Sequence, residues 1–424
     1  MYLATALTPM TSRGRDMELL LAKIPGRVGD EFDGLTLIYE ASTQAKRLLH
    51  SFLSSASEAV YPQEFSVVPE VAQRVWVQFI YADEACFHSF VSMSAAYLDA
   101  ITKQSTRSLS NWHHHARALR LISSKISNAQ GVTDFALASV IALSLQESLR
   151  GQMQHAKLHV EGLFRMVEVR GGLKGLESNP ALVEKVKRVD IDVAFKLGLP
   201  LHFKYHAIHP DSRAVSPFHL DCELPQLLES ALRYIDMDVY LVARDTKRMA
   251  YLVSLGAAVH KIEPLVFQEM LTLHCYRLLN IDTVGGKRLI NPLARAVHLV
   301  LMCFMATCID LSDRQGILGY PLLCRETKGA LDNEGFYQSV EPEANLWALM
   351  IFGIAVADPQ NMPWLRAKIC CAAEQACIVD WRSAKLALNT YGWVPNLHDD
   401  RGLNLWNKCH DSICRLGPAV SASL

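Results

Sequence analysis

Sixteen histidines and eleven cysteines are the residues of this chain best suited to hold a metal or supply a nucleophile, and their spacing decides whether they can. His155 and His159 stand one helical turn apart and could share an ion from one face. Glu161, the nearest carboxylate, lies about 200° around the same helix from His159, and zinc needs three or four ligands. His113, His114 and His115 are consecutive, so on a helix they splay about 100° apart and cannot converge. His202, His206, His209 and His219, with Asp211 and Cys222, offer suitable ligand types on a loop, but their spacing matches no zinc module.

The cysteines are equally uninviting. A structural zinc site draws paired ligands from C-x2-C-like knuckles, and the chain has none. Cys303 and Cys308, like Cys409 and Cys414, are five positions apart on helical stretches, and Cys370 and Cys371 with Cys377 fit no better. Cys86 is the only cysteine before Cys222, so this odd-numbered set forms no disulfide ladder and reads as core thiols. The chain lacks the G-x-S-x-G elbow, the G-x-G-x-x-G turn, the G-x-x-x-x-G-K-[ST] loop, H-E-x-x-H and a calcium loop. Gly285-Gly286-Lys287 lacks the upstream glycine and the following hydroxyl residue of a phosphate loop, and reads as a turn. Lys185, Lys187 and Arg188 lie near Asp190 and Asp192 on one predicted helix, which reads as a solvated face rather than a DNA-contacting stripe. The expectation is therefore no catalytic residue, no cofactor, no metal ligand and no DNA-contacting residue.

Composition supports a folded chain. Half of the 424 residues are hydrophobic and a fifth charged. Glycine and proline together make 39, below the roughly 12 % of average usage, which argues against disorder. A formal charge of −1 creates no global positive field of the kind that advertises a nucleic-acid binder. The first residues lack a basic stretch leading into an apolar one, and Asn-x-Ser/Thr occurs nowhere, so secretion is not expected. The apolar runs from Val297 to Ile309 and from Leu346 to Ala357 are shorter than the roughly 20 residues that cross a bilayer. They are expected as buried helices, with no membrane partner.

The elements that would position any site are helical. Apolar residues recur at three and four rather than two, and strand signals are nearly absent. Leu35, Ile38, Ala41, Ala45, Leu48, Leu49 and Phe52 trace one stripe, and Pro69 suits the opening of a helix through Tyr81. Phe87 to Ile101 makes another. Asn111 can cap a helix through Ile126, and Thr133 or Asp134 the next, which Gly151 would end. Val160, Leu163, Phe164 and Val167 form a further stripe closed by Gly171-Gly172, and Asn179-Pro180 starts the next helix. Further helices are predicted around 226–255, 263–280, 292–311, 343–357, 363–379 and 401–415. Asn291-Pro292, Glu341-Pro342 and Asp358-Pro359 mark starts.

The fold expected is all-α, a large multi-helix domain of two packed helical lobes without significant β-sheet. Residues 1–30 would be an N-terminal arm, 31–203 the first lobe, 204–225 a linker, 226–416 the second lobe and 417–424 a C-terminal tail.

Several stretches carry a resemblance. Ser92-Met93-Ser94-Ala95-Ala96-Tyr97-Leu98, then Trp112-His113 leading into His115-Ala116-Arg117-Ala118-Leu119-Arg120-Leu121-Ile122, resemble the regulatory domain of fungal zinc-cluster transcription factors, the fungal-specific transcription factor domain family. Asp134 to Glu147 is similar to the family's Ala-rich second helix. The run from His155 to Leu163, followed by Met166-Val167 and Arg170-Gly171-Gly172-Leu173, is similar to its most recognisable stretch. Asp190 and Ala194 sit where the family continues, and Trp393 to Trp406, with Gly402 before Leu405-Trp406, is similar to its closing helix.

The resemblance is specific over about 90–200. It implies an all-helical regulatory domain in a nuclear protein, and it assigns no catalytic residue. Family members carry six cysteines within about 30 residues near the N-terminus, whereas this chain has one in its first 221. The protein expected is thus one that acts through other proteins of the transcription machinery, a DNA-binding partner or a small-molecule effector, without specific DNA binding of its own. Its oligomeric state is left open. The alternatives are an enzyme with an active site between the lobes and a cytoplasmic helical scaffold. Plain physical roles accompany these residues: Leu163, Met166, Val167 and Val160 as core, Trp112 packing the start of its helix, and Gly162 at a close helix crossing.

Overall fold

The computed structural model describes residues 42–60, 70–102, 109–127, 132–204, 223–258, 261–309 and 319–410. Among these, 81 % of residues are helical, in 17 α-helices with no sheet, as the period of the apolar residues dictates. The expected helix stripe at Leu35, Ile38 and Ala41, the proline at 69, the histidines at 206, 209 and 219, and Asp211, Cys222 and Cys414 lie outside the described residues.

The first seven helices are α1 (Thr43–Val60), α2 (Glu70–Ala82), α3 (Glu84–Thr102), α4 (Leu109–Ser127), α5 (Asp134–Leu149), α6 (Met153–Val169) and α7 (Pro180–Leu197). Their ends follow side-chain chemistry. The Asp83 carboxylate accepts from the amides of Ala85 and Cys86 at 2.9 and 3.1 Å, which starts α3 three residues before Phe87. Thr133 Oγ1 accepts from Ala136 N at 3.2 Å, capping α5 as predicted, and Gly151 follows its end at φ 71°. Asn111 is not a cap, since α4 already begins at Leu109. Gly171 and Gly172 adopt φ 91° and 75° and close α6, the Gly172 amide donating to Val167 O at 3.0 Å. α5 is the centre of this half. Twelve of its residues are buried, because α3 packs on one side of it and α6 on the other.

The rest of the chain forms α8 (Gln226–Ile235), α9 (Met237–Ala258), α10 (Pro264–Ile281), α11 (Pro292–Ile309), α12 (Pro321–Leu331), the one-turn α13 (Glu334–Tyr337), α14 (Pro342–Ala355), α15 (Met362–Gln375), α16 (Trp381–Tyr391) and α17 (Pro395–His410). The single helix expected over 226–255 is two, because Asp236 is extended at φ −154° and caps α9 through Val239 N at 3.0 Å. α12 and α16 were not anticipated, and α17 begins earlier than 401. α11 is apolar and long enough to cross a bilayer, yet 89 % of it is buried inside the protein, where it packs against α9, α10, α12 and α14.

α7 joins the two halves. It packs against α5 and α6 on one side and against α10 and α12 on the other, so one hydrophobic core runs from Ala45 to Cys409. That placement corrects the solvated face expected at its cations. Lys187 is buried, 2.7 Å from Glu184, whose other oxygen accepts from Thr272 Oγ1 at 2.9 Å. Arg188 donates to the Ile309 carbonyl. Lys185 lies 5.9 Å over the Trp76 ring, and burial pulls its ammonium down to about 8. These side chains are engaged inside the protein.

Asp190, 1 % exposed, draws the chain after α7 back onto the core. Its carboxylate accepts from the amides of His202 and Phe203 at 3.0 and 3.2 Å, from His202 Nδ1 at 2.9 Å and from the Tyr276 hydroxyl at 3.4 Å. The Asp190 hydrogen bond raises the His202 pKa, as an adjacent carboxylate should.

Candidate functional site

α4 packs on α3 and α6 packs on α5, and between α4 and α6 a groove of about 310 Å³ remains. Leu119, Ile122, Ser123 and Ile126 form the α4 wall, Leu158, His159, Gly162 and Met166 the α6 wall, and Val140 and Leu143 of α5 the floor. The groove is open to water although its lining is apolar. Leu119 is 39 %, Ile126 52 % and Leu158 63 % exposed. Such contiguous exposure, unlike a scattered surface leucine, makes the groove a candidate interaction surface.

Gly162 explains part of the concavity. A Cβ built there meets no atom within 4 Å, so this glycine does not serve the close helix crossing expected of it. It leaves a notch in the wall where a side chain would otherwise stand.

The charges of the α4 wall are one-sided, whereas α6 carries two cations, Lys157 and Arg165, and two carboxylates, Glu161 and Glu168. α4 contains Arg117, Arg120 and Lys125 and no carboxylate. Arg117 pairs with Glu84 at 2.9 Å and Lys125 with Asp83. Among the described residues Arg120 reaches the Ala116 carbonyl of its own helix, at 3.4 Å. On α6, Lys157 pairs with Glu161 at 3.5 Å. Arg165 is exposed, and neither it nor Arg120 has a carboxylate partner among the described residues.

One end of the groove is polar. His159 is half-buried and its pKa is lowered, first by burial, then partly restored by Glu147. Buried Glu147 holds His155 and Arg150, each at 3.5 Å. The Arg150 guanidinium lies 5.2 Å over the Trp112 ring, which is 55 % exposed. Trp112 therefore rests against one cation rather than packing its helix into a neighbour. His155 turns to Glu147 and Glu161 to Lys157, so the structure does not bring His155, His159 and Glu161 together.

The triple histidine separates as its helical positions require. His114 Nδ1 meets His88 Nδ1 at 2.7 Å, and His115 Nδ1 meets the Gln146 side chain at 3.0 Å. Burial, then the charges of His88 and His113, push His114 down to about 4. A ring-to-ring hydrogen bond needs one nitrogen without a proton, which this depression provides. Among the described residues no group of three or more His, Cys, Asp or Glu side chains could hold a metal. Cys303 and Cys308 are buried, and burial pushes both thiols up to about 12, far from the thiolate a nucleophile needs. Gly285-Gly286-Lys287 is a turn organised by Asp282, which accepts from the amides of Arg288 and Leu289 at 3.0 and 3.1 Å.

A larger concavity of about 510 Å³ opens beside α9 and α10, with Lys204, Asp238, Arg277, Asn280 and Arg288 among its lining. Its guanidinium groups are already engaged. Arg277 pairs with Asp245 at 2.7 Å, and Arg288 with Asp238 at 3.1 Å and the Ile281 carbonyl at 2.7 Å. Little cationic capacity is left for a ligand. The apolar groove, which no chemical motif in the sequence marks, is the stronger candidate. Its signals were an interior helical glycine and a neighbouring helix without a carboxylate.

A family model described as the fungal specific transcription factor domain matches residues 47–188. The matched stretch runs from α1 into α7 and contains all three helices of the groove. The resemblance expected over about 90–200 is thus borne out as far as residue 188, and the match begins earlier, in α1. No curated protein and no solved structure matches the chain. The matched family is one of regulatory rather than enzymatic domains.

Proposed function

We propose that this chain regulates transcription from the nucleus by binding a partner in the groove between α4 and α6, and that it does so without catalysis and without reading DNA itself. The observation that carries this reading is that the exposed apolar groove lies wholly within residues 47–188, the stretch matched to the fungal specific transcription factor domain. Charge and cysteine usage support it. The formal charge is −1 and Cys86 is the only cysteine in the first 221 residues, so these 424 residues include no six-cysteine cluster. Duplex binding through counterion release needs clustered free cations, and those of α7 are engaged internally.

The test is tethering in a fungal cell. Fused to a foreign DNA-binding domain, the chain should change reporter output, while the unfused protein should give no salt-sensitive shift of DNA in a gel. Specific duplex binding by the unfused chain would overturn the reading. So would a silent tether together with a wholly cytoplasmic protein, the outcome expected of a scaffold.

A further inference from the structure

We propose that the occupant of the groove is an amphipathic helix whose apolar stripe is flanked by carboxylates. This deepens the preceding reading and rests on it. Both walls have coiled-coil spacing. Trp112, His115, Leu119, Ile122 and Ile126 on α4, and His155, His159, Gly162, Met166 and Val169 on α6, recur at alternating intervals of three and four, the period that keeps a seam facing a partner helix. α4 extends about 28 Å at 1.5 Å per residue, long enough for five turns of a partner. The notch at Gly162, where nothing stands within 4 Å of a Cβ, is a hole for a large side chain of that partner.

Charge selects the sign. The α4 wall carries cations and no carboxylate, and Arg120 and Arg165 flank the groove without acidic partners among the described residues. Glutamates beside the apolar stripe of an incoming helix would supply them, and the contact would guide encounter as well as register. The same charges disfavour a second copy of this chain, because two α4 faces brought together would oppose arginine to arginine. A small-molecule effector fits less well, since ligand pockets bury most of their ligand and this groove leaves its walls in water.

The experiment uses the full chain and a fluorescein-labelled peptide of about 18 residues, with leucine at alternating three- and four-residue intervals and glutamate elsewhere. A matched peptide with lysine for glutamate is the control. Anisotropy should show saturable binding of the glutamate peptide, weakened by salt, with the lysine peptide bound at least roughly tenfold less tightly. Gly162→Leu places a side chain in the notch and should weaken binding by roughly tenfold or more. Circular dichroism verifies that the variant is folded. Arg120→Glu with Arg165→Glu should reverse the preference between the two peptides.

Equal binding of both peptides, absence of saturable binding, or indifference to Gly162→Leu would overturn the proposal. Self-association of the parent chain that Gly162→Leu abolishes would assign the groove to a second copy instead, and overturn it too. If the peptide fails while the tethered chain still changes reporter output, the acidic-helix proposal falls and the regulatory reading stands. A tether silent in the parent chain, with the peptide bound, would have the opposite meaning.

Discussion

Gly162 and Gly402 both sit inside helices, and their surroundings differ completely. A Cβ at Gly402 of α17 would lie 2.7 Å from the rings of both Trp381 and Trp393. That glycine is what lets α17 approach α16 beneath a cluster of three indoles, completed by Trp406. A Cβ at Gly162 of α6 would touch nothing. The same residue type, with the same cost of roughly 1 kcal/mol relative to alanine in a helix interior, is thus used once to close a core and once to leave a hole. An unfilled hole on an exposed apolar wall gains nothing for the isolated fold, which is why it points outward to a partner.

The largest expected effect tests the closed side through its histidine. His398 is fully buried against Trp393, at 4.9 Å. Its Nδ1 accepts from Val394 N at 3.1 Å and its Nε2 contacts Thr307 Oγ1 at 2.8 Å. Burial holds it near 3, and burial holds His298 near 4. The unfolded chain takes up these protons below about 6.5 while the folded chain does not, so stability is fully present above that pH and falls as the pH drops toward the folded values. Each group should remove about 1.4 kcal/mol per pH unit across its window. Urea unfolding from pH 7.5 to 4.5 measures this, and a flat profile would show that the interior tolerates their charge.

Next in size, Leu163→Ala should cost about 2–5 kcal/mol, since Leu163 is fully buried on the inner face of α6. Leu158→Ala, on the groove side, should stay within about 0.5 kcal/mol. Thermal melts of the pair would break the comparison if the two shifts were alike. Gly402→Ala should then destabilise by about 1–3 kcal/mol, because the indole rings cannot give way without leaving their contacts. The smallest effect has the opposite sign. Gly162→Ala should stabilise by about 0.5–1 kcal/mol, and a loss of stability in chemical denaturation would mean that the notch is already filled.

Much of the fold was legible because helix ends carry local chemistry. Thr133, Asn179-Pro180 and Gly171-Gly172 do in the structure what their types suggest, and Val160, Leu163 and Val167 are fully buried. What was not legible depended on partners distant in sequence. Lys187 and Arg188 look like surface residues until Glu184, Thr272 and Ile309 are brought beside them. Asp236 interrupts a continuous apolar pattern that gave no other warning. The groove was not legible because an interior helical glycine, read as packing, predicts a close neighbour, and at Gly162 no atom stands within 4 Å of a Cβ.

Asp190 has a bearing on where the folding unit ends. The matched stretch ends at residue 188, inside α7 and two residues before the carboxylate that holds His202, Phe203 and Tyr276. A polypeptide cut at that boundary would lose half of its joining helix and bare the side of α7 that α10 and α12 cover. The matched stretch is therefore shorter than the packed unit around α7, whose far side is covered by α10 and α12 from outside the matched residues.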